Sequence, residues 1–292
     1  MAQTALITGV GRLRGIGAGI AAGLAADGWD LGLSFWRPYD ERLHMADAGN
    51  DPDRLVEELR SRGAKVELIP ADLEDPSAAS ALINTAAERI GPLDALVLSH
   101  CESVNSGVLD TSVESFDRHY AVNVRASWLL IAGFARQLGP EGGAVIALTS
   151  DHTVGNLPYG ATKGALDRLV LASAHELAGL GLRANVINPG PVDTGWMDDA
   201  TRASAIAEQP TGRLGTPTDT ANLVRFLLSP SGAWINGQLL YSNGGYPKGS
   251  SATLRAPLRS ATAPPEASFA GVDVGARTEA LPSFNGLESG LG

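Results

Sequence analysis

Short apolar segments of strand length alternate with longer helical segments along most of this 292-residue chain. This alternation restricts the fold, because strands that are buried on both faces and joined by helices pair in parallel through right-handed crossovers. We predict strands at Thr4–Thr8, Leu31–Phe35, Val66–Pro70, Ala95–Leu98, Ala144–Thr149, Ala184–Ile187 and Leu239–Tyr241. The pattern predicts an α/β protein with a single doubly wound parallel sheet and helices on both of its faces.

Capping residues predict where several helices begin and end. The predicted helices run from Asp51–Pro52 to Gly63, from Asp75–Pro76 to Gly91–Pro92, and from a capping box of Thr111 with Glu114 toward Leu138. Residues 1–246 are expected to form one folded domain. Residues 247–292 are expected to form an irregular Ala/Ser/Pro/Gly-rich C-terminal extension. This extension either lies on a neighbouring subunit or is partly disordered, or it reaches over the active-site mouth of its own or a partner chain.

The charge balance and the cysteine content exclude several functional classes. With 22 Lys and Arg against 32 Asp and Glu, the net charge of −10 repels polyanions, so we expect no nucleic-acid partner. The single cysteine, Cys101, excludes an intrachain disulfide and a multi-cysteine zinc site, and the histidines are scattered, so we expect no metal. There is no basic leader before the first strand and no run of 18 apolar residues. We therefore expect a cytoplasmic protein without membrane contact.

A glycine-rich turn follows the first predicted strand. The sequence Thr8-Gly9-Val10-Gly11-Arg12-Leu13-Arg14-Gly15-Ile16-Gly17 leads into a helix of small residues. Glycines let a backbone turn sharply and approach a pyrophosphate, whose charge is favoured by a helix N-terminus, although a tight turn alone also uses glycine. The pattern predicts dinucleotide contacts at Gly9, Arg12, Arg14, Gly15, Ile16 and Gly17, and at Asp72 and Leu73 after the third strand. Asp72 either accepts a hydrogen bond from adenine or caps a turn.

The end of the second strand bears on which dinucleotide binds. It reads Ser34-Phe35-Trp36-Arg37, where an NAD-binding protein usually carries an acid for the ribose 2′-hydroxyl. Arg37, with Arg12 and Arg14, offers guanidinium groups to a 2′-phosphate. We predict NADP(H) as the preferred cofactor, while NAD(H) stays open because acidic residues follow at Asp40–Glu41.

Three polar residues predict a catalytic centre. Tyr159 and Lys163 are four residues apart at a predicted helix start, and Ser150 ends the fifth strand, where doubly wound sheets bind ligands. A tyrosine pKa lies near 10, and an adjacent ammonium together with an oxidised nicotinamide ring should lower it. The pattern predicts Tyr159 as acid/base, Lys163 as the group that lowers its pKa, and Ser150 as the anchor of the reacting atom. By itself the Tyr-x-x-x-Lys spacing also occurs at exposed helix starts.

These motifs, in this order, resemble the short-chain dehydrogenase/reductase family over roughly residues 3–246. The resemblance rests on the glycine turn, Asp72, Asn123, Ser150, Tyr159, Lys163, Asn188–Thr194, Gly212–Pro217 and Gly237–Gly245. It implies a Rossmann fold, a homotetramer or homodimer associating through the helices from Thr111 and Pro158, and hydride transfer between NAD(P)H and a carbonyl or alcohol of a small molecule. It also implies that Asn123 holds a proton-relay water, and that Ser99, Pro189, Gly190, Val192, Thr194, Tyr159 and Lys163 contact the cofactor.

The sequence departs from the family pattern in three places. The glycine turn is two residues longer than usual, which makes its phosphate contacts uncertain. Leu98-Ser99-His100-Cys101 replaces Asn-Asn-Ala-Gly, so the support for adenosine must be built differently. Ser150 precedes Tyr159 by nine residues rather than about thirteen, so either Ser150 still reaches the substrate or Asp151 or His152 takes its place.

The substrate is less constrained than the cofactor. Trp196 and Met197, where the family carries a lid, either face an apolar or aromatic substrate or pack the lid onto the core. We predict an oxidoreductase, an NADP(H)-dependent reductase of a carbonyl, an imine or a hemiaminal. One alternative is an enoyl reductase, favoured by the long glycine turn and opposed by the spacing of four between Tyr159 and Lys163. The other is a non-catalytic dinucleotide-sensing protein, opposed by the retained acid/base residues.

Overall fold

The computed structural model describes residues 2–45 and 50–247. Within these ranges the strands are β1 Thr4–Thr8, β2 Asp30–Phe35, β3 Val66–Pro70, β4 Ala95–Leu98, β5 Gly143–Leu148, β6 Leu182–Asn188 and β7 Leu239–Tyr241. The helices are α1 Ile16–Ala26, α2 Arg37–Arg42, α3 Asp51–Ser61, α4 Pro76–Ile90, α5 Val113–Tyr120, α6 Ala126–Arg136, α7 Leu157–Glu176, α8 Asp199–Glu208 and α9 Pro217–Leu228. The expected extension, residues 247–292, lies outside the described residues except for Pro247.

The strands form one sheet in the order β3-β2-β1-β4-β5-β6-β7, and every neighbouring pair is parallel. The chain builds one half of the sheet from β1 to β3 and then returns to place β4 on the other side of β1. Such a reversal opens a crevice at the carboxyl ends of β1 and β4. The predicted doubly wound Rossmann-type sheet is confirmed, and the strand limits differ from the predicted ones by at most two residues.

The core lies on both faces of the sheet. Successive residues of a strand point to opposite faces, so Leu6 of β1 packs with α4, α6 and α7, whereas Ala5 and Ile7 pack with α1, α3 and α9. Residues of β4 and β5 alternate in the same way. Because both faces are covered by helices, these strands are continuously apolar, which is why they were visible in the sequence.

The helix predicted from Thr111 begins two residues later, at Val113. Ser112 accepts a hydrogen bond from the backbone N–H of Ser115 at 3.1 Å, so the predicted capping box of Thr111 with Glu114 is wrong. The Thr111 hydroxyl instead donates to the carbonyl of Gly107. Hydrogen bonding within the preceding loop therefore decides whether Thr111 or Ser112 caps the helix.

His100 ties β1 and β4 to the helical layer at the carboxyl end of the sheet. Its Nε2 donates to the carbonyl of Val122 at 3.1 Å, which leaves Nδ1 to accept from the Thr8 hydroxyl at 2.7 Å. Burial lowers the pKa of His100 to about 3, with a contribution from the Lys163 charge, so the ring is neutral. The His100 imidazole therefore links β1 and β4 to the helical layer.

Helix α1 packs closely on α9 through two glycines. A Cβ atom at Gly19 would lie 2.5 Å from Cβ of Pro217 and 2.9 Å from its carbonyl carbon. A Cβ atom at Gly23 would lie 2.9 Å from Cδ of Arg225, a flexible side chain. Helix α1, which follows the glycine turn, therefore packs against the rigid Pro217 at Gly19 and against the flexible side chain of Arg225 at Gly23.

We expect Gly19→Ala to lower the free energy of unfolding by about 1–3 kcal/mol, because the added methyl group must push the Pro217 backbone away. Gly23→Ala is the matched control on the same helix. It should cost less or stabilise, because Arg225 can move and alanine favours the helix. Urea denaturation of both variants checks this, and equal destabilisation would contradict the packing described here.

Acid should destabilise the protein partly through His100. The unfolded chain binds this proton with a pKa near 6.5 and the folded protein with a pKa of about 3, so stability falls as the pH drops through that interval. In His100→Asn the free energy of unfolding should fall less steeply with decreasing pH, by up to about 1.4 kcal/mol per pH unit. Urea denaturation between pH 7 and pH 4 measures this slope, and His175→Asn, at an exposed position, should keep the wild-type slope.

Candidate active site

Two adjoining cavities lie at the carboxyl ends of the strands. The larger, of about 420 Å³, is lined by the glycine turn and by the segments that follow β4, β5 and β6. The smaller, of about 110 Å³, is lined by the ends of β2, β3 and β4. The residues that line both are Gly9, Arg12, Tyr39, Ser99 and Cys101. Together the cavities occupy the crevice that a doubly wound sheet provides for ligands.

Most of the residues singled out in the sequence come together here. Those that line the larger cavity are Gly9, Arg12, Gly15, Ile16, Ser99, Ser150, Tyr159, Lys163, Pro189, Gly190, Val192 and Thr194. Asp72 and Leu73 line the smaller cavity. Gly17 lies beneath the turn, where a Cβ atom would approach the carbonyl of Gly9 to 3.0 Å. Within the described part of the chain, Arg14, Arg37 and Asn123 line neither cavity.

The glycine turn brings the end of β1 against the end of β4. Gly9 has a φ of +75°, and a Cβ atom there would lie 2.6 Å from the backbone of His100. Gly15, which precedes α1, offers no side chain to cap the helix. The first N–H groups of α1 therefore remain available to a ligand beside Gly15 and Ile16.

Two buried carboxylates bind donors of this turn. Asp40 forms an ion pair with Arg12, with 3.3 Å between Oδ1 and Nε, and Asp51 accepts the backbone N–H of Leu13 at 2.9 Å. Burial raises the pKa of Asp40 and the charge of Arg12 only partly offsets this. Arg12, which is predicted to contact the dinucleotide, thus already has an anionic partner within the chain.

Helix α2 places Tyr39 and Arg42 in the cleft, which the sequence analysis did not anticipate. Nη2 of Arg42 donates to both carboxylate oxygens of the buried Glu102, at 2.6 and 2.7 Å. Tyr39 lies between the two cavities, and burial raises its pKa well above the usual value. The available signal was Pro38, since proline in a first turn favours the start of a helix.

The other two arginines expected at a 2′-phosphate have partners outside the cavities. Arg37 pairs with Asp53 at 2.6 Å and lies over the ring of Phe35, 5.5 Å from its centroid. Its Nε is buried and has no hydrogen-bond partner in residues 2–45 and 50–247. Arg14 pairs with Asp193 at 3.1 Å. Arg12 is therefore the arginine of the three that lines the cavities directly.

Ser150 lies beside Tyr159 in spite of the short connection between β5 and α7. Both side chains line the larger cavity, and the Ser150 hydroxyl acts to lower the pKa of Tyr159. Asp151 is exposed, and His152 lines the larger cavity with its Nε2 donating to the carbonyl of Val154 at 3.1 Å. Of Ser150, Asp151 and His152, Ser150 is therefore the one that acts on the tyrosine.

Lys163 is buried beside Tyr159. Its Nζ donates to the carbonyl of Leu148 at 2.8 Å and lies 5.6 Å from the centroid of the tyrosine ring. Burial raises the pKa of Tyr159, the neighbouring Cys101 adds to this, and the hydrogen bond from Ser150 only partly offsets it. The predicted lowering of this pKa is therefore not found, because desolvation outweighs the other contributions. At neutral pH the phenol keeps its proton.

Asn123 lies in a π-helical turn, Ala121–Arg125, that joins α5 to α6. Its Oδ1 accepts the N–H of Glu102 at 2.7 Å, and its Nδ2 donates to the carbonyl of Glu102 and to the Thr162 hydroxyl, both at 2.9 Å. Thr162 adjoins Lys163 on α7. The amide thus joins the segment after β4 to the helix that carries the tyrosine and the lysine, and both of its Nδ2 hydrogens are used within the protein.

Trp196 and Met197, in the segment before α8, have different surroundings: one faces the cavity and the other packs on the core. Met197 is buried and packs with Ala205 and Leu214. Trp196 is 47% exposed and lines the larger cavity. Met197 therefore holds this segment to the core, while Trp196 offers a flat apolar surface to the cavity.

The described residues contain no group of three His, Cys, Asp or Glu side chains arranged to hold a metal ion. None of their helices is long and apolar enough to span a bilayer.

Comparison with known proteins agrees with this arrangement. A family model described as enoyl-(acyl carrier protein) reductase matches residues 9–247. The uncharacterized oxidoreductase YjdA of Bacillus subtilis (strain 168) is 33% identical over 254 residues, which cover 85% of this chain and 98% of that protein. The NADPH-dependent aldehyde reductase-like protein of Arabidopsis thaliana chloroplasts is 33% identical over 257 residues, which cover 84% of this chain and 94% of that protein.

A solved structure shares both the fold and the sequence. The blue fluorescent protein from a metagenomic library, in complex with NADPH, superposes with a TM-score of 0.75 at 30% identity, covering 84% of this chain and 97% of that one. The family match spans more than half of the chain, and the relatives match over nearly their whole length. The chain belongs to the short-chain dehydrogenase/reductase family and is an oxidoreductase of that family.

Proposed function

We propose that the protein is an NADP(H)-dependent reductase of carbonyl groups in small molecules, with Tyr159 as the proton donor. The observation that carries the proposal is the placement of Ser150 and the buried Lys163 beside Tyr159. These groups line the same cavity as the glycine turn and the segment after β6. A proton donor and the expected dinucleotide site therefore lie in one cleft.

The described residues suit a dinucleotide. The N-terminus of α1 lacks a side-chain cap and Arg12 lines both cavities. Arg37 directly follows Trp36, which lines the smaller cavity, and its buried Nε has no partner among the described residues. When bound, NADPH would supply the hydride that reduces the carbonyl carbon. The names of two similar proteins support this cofactor: one was crystallised with NADPH, and another is called an NADPH-dependent aldehyde reductase-like protein.

In this proposal Tyr159 donates its phenolic proton to the carbonyl oxygen as negative charge develops there. The raised pKa keeps the phenol protonated at neutral pH, which is the form that reduction requires. Ser150 binds the same oxygen and orients it. Lys163 fixes the ring from the protein side, and Asn123 acts as a positioning residue through its bonds to Glu102 and Thr162.

An enoyl reductase is the second candidate, because the matching family model carries that description and the glycine turn is long. The spacing of four between Tyr159 and Lys163 opposes it. NADPH oxidation with crotonyl-coenzyme A and with benzaldehyde, measured side by side, separates the two functions. Turnover of the aldehyde alone supports the carbonyl reductase.

We also propose that the protein is a homo-oligomer that associates through α5 and α6. Val113, Phe116 and Trp128 support this, since their side chains are 78%, 36% and 55% exposed on these helices. Apolar side chains of this size are stabilised when a second subunit covers them.

The cofactor preference is tested with two arginine variants. Wild-type protein should bind NADPH at least about tenfold more tightly than NADH, or roughly 1.4 kcal/mol. Arg37→Ala should weaken NADPH binding selectively if Arg37, which follows Trp36 at the smaller cavity, turns toward the 2′-phosphate. Arg12→Ala should weaken both cofactors, because Arg12 lines both cavities. Fluorescence titration of the wild type and both variants with each cofactor gives the six affinities.

Arg62→Ala is the control for these titrations, since Arg62 is exposed and pairs with Glu58 on α3, where it is not among the residues that line the cleft. Its affinities should equal those of the wild type. Equal binding of NADPH and NADH by wild-type protein would refute the preference, and an unselective effect of Arg37→Ala would remove Arg37 from the 2′-phosphate site.

Tyr159→Phe should lower kcat by about a hundredfold or more, because it removes the proton donor and keeps the ring. NADPH affinity should change by less than about twofold, since only the transition-state interaction is lost. Tyr120→Phe, a tyrosine stacked on Phe116 in α5, is the matched control and should retain full activity. Unchanged turnover in Tyr159→Phe would assign the proton to another group, with His152 the first to examine.

A further inference from the structure

Asn156 combines burial with an unused hydrogen-bond acceptor at the larger cavity. It lines this cavity three residues before Tyr159, and it is only 4% exposed. Its Nδ2 donates to the Ser103 hydroxyl at 3.1 Å, whereas its Oδ1 has no hydrogen-bond partner among the described residues. A buried oxygen without a partner costs about 1–3 kcal/mol, so its presence requires a physical reason.

Asn156 lies directly before α7, where an asparagine side chain usually caps the helix. Asparagine directly before a helix is among the best caps, because its Oδ1 accepts an N–H of the first turn. Asn156 precedes α7 but makes no such bond. The N–H of Leu157 donates to the carbonyl of Ser106 at 2.8 Å, and Pro158 has no N–H to offer. The amide therefore does not cap α7, and its Nδ2 is bonded to Ser103 instead.

The surroundings indicate what kind of group would complete the site. An oxygen acceptor requires a donor, and a ligand hydroxyl group is a donor that remains neutral in a partly apolar cavity. Trp196 and Val104 line the same cavity and present apolar surface, which suits an aromatic ring. A site built to accept a hydrogen bond from a substrate hydroxyl strongly rejects the analogue without it, because the buried acceptor is then left unpaired.

We propose that Oδ1 of Asn156 accepts a hydrogen bond from a hydroxyl group of the substrate, and that the substrate is an aromatic aldehyde or ketone carrying such a hydroxyl group. This inference rests on the proposed carbonyl reduction and adds a second anchoring point to it. Tyr159 and Ser150 bind the carbonyl oxygen, and Asn156 selects for the hydroxyl group. Asn156 is thereby a specificity-determining residue that takes no part in proton transfer.

The test compares donors with non-donors of similar shape. The probes are 2-, 3- and 4-hydroxybenzaldehyde and the three corresponding methoxybenzaldehydes, whose ether oxygen cannot donate a hydrogen bond. Binding is measured by calorimetric titration of the protein in the presence of NADP⁺, because the oxidised cofactor has no hydride with which to reduce the aldehyde. We expect at least one hydroxy isomer to bind about tenfold or more tightly than its methoxy counterpart.

Three variants test whether the ratio of hydroxy-probe to methoxy-probe affinity depends on Asn156. Asn156→Leu keeps the size of the side chain and removes the acceptor, so the ratio should fall to near one. Asn156→Asp keeps an acceptor oxygen and should retain the preference. Ser103→Ala removes the partner of Nδ2 while leaving Oδ1 in place, and it should also retain the preference. Ratios near one for all three isomers in wild-type protein, or an unchanged ratio in Asn156→Leu, would overturn the proposal.

The same probes keep this inference distinct from the proposed function. NADPH oxidation is followed with all six aldehydes in parallel. Lack of turnover with every probe would count against carbonyl reduction, while the binding ratios would still decide the role of Asn156. A uniform loss of affinity for hydroxy and methoxy probes in Asn156→Leu would show a structural role alone and refute the selectivity.

Discussion

The close approach of β1 to β4 at the carboxyl end of the sheet is the constraint on which the site depends. Gly9 lies so near the backbone of His100 that no side chain fits between them. From this contact a chain of buried hydrogen bonds runs outward: Thr8 to His100, His100 to Val122 in the π-helical turn, and Asn123 of the same turn to Thr162 on α7. The glycine turn and the tyrosine–lysine pair are thereby held in one rigid frame, although about 150 residues separate them in the sequence.

Features that depend on local pattern were predictable from the sequence, and those that depend on distant partners were not. The strands were visible because both faces are buried, and Ser150, Tyr159 and Lys163 were visible because a strand end and a helical spacing place them together. The Arg42–Glu102 pair was missed because 60 residues separate its members. The direction of the Tyr159 pKa was missed for a related reason, since desolvation depends on packing rather than on neighbours in sequence.

The cations in and beside the cleft show how a protein of net charge −10 arranges a site that is expected to bind an anion. Arg12 and Arg42 in the cleft and Arg14 beside it each have a carboxylate partner, supplied by Asp40, Glu102 and Asp193. Since Asp40 and Glu102 are buried, their charges would be costly without these arginines. The pairs hold α2 and the segment after β6 against the glycine turn, so the same arginines contribute to structure as well as to the local potential.

Asp40 and Asp51 give the glycine turn a further property. Asp40 pairs with Nε of Arg12, and Asp51 accepts the N–H of Leu13. An incoming anion that uses these donors must therefore displace carboxylates that belong to the same chain and are always nearby. The measured dissociation constant of such a ligand is then its intrinsic value divided by the fraction of molecules in which the carboxylates have been released. The observed affinity therefore depends on how stably Asp40 and Asp51 hold their partners. Residues of α2 and α3 that never touch the ligand can alter its binding in this way.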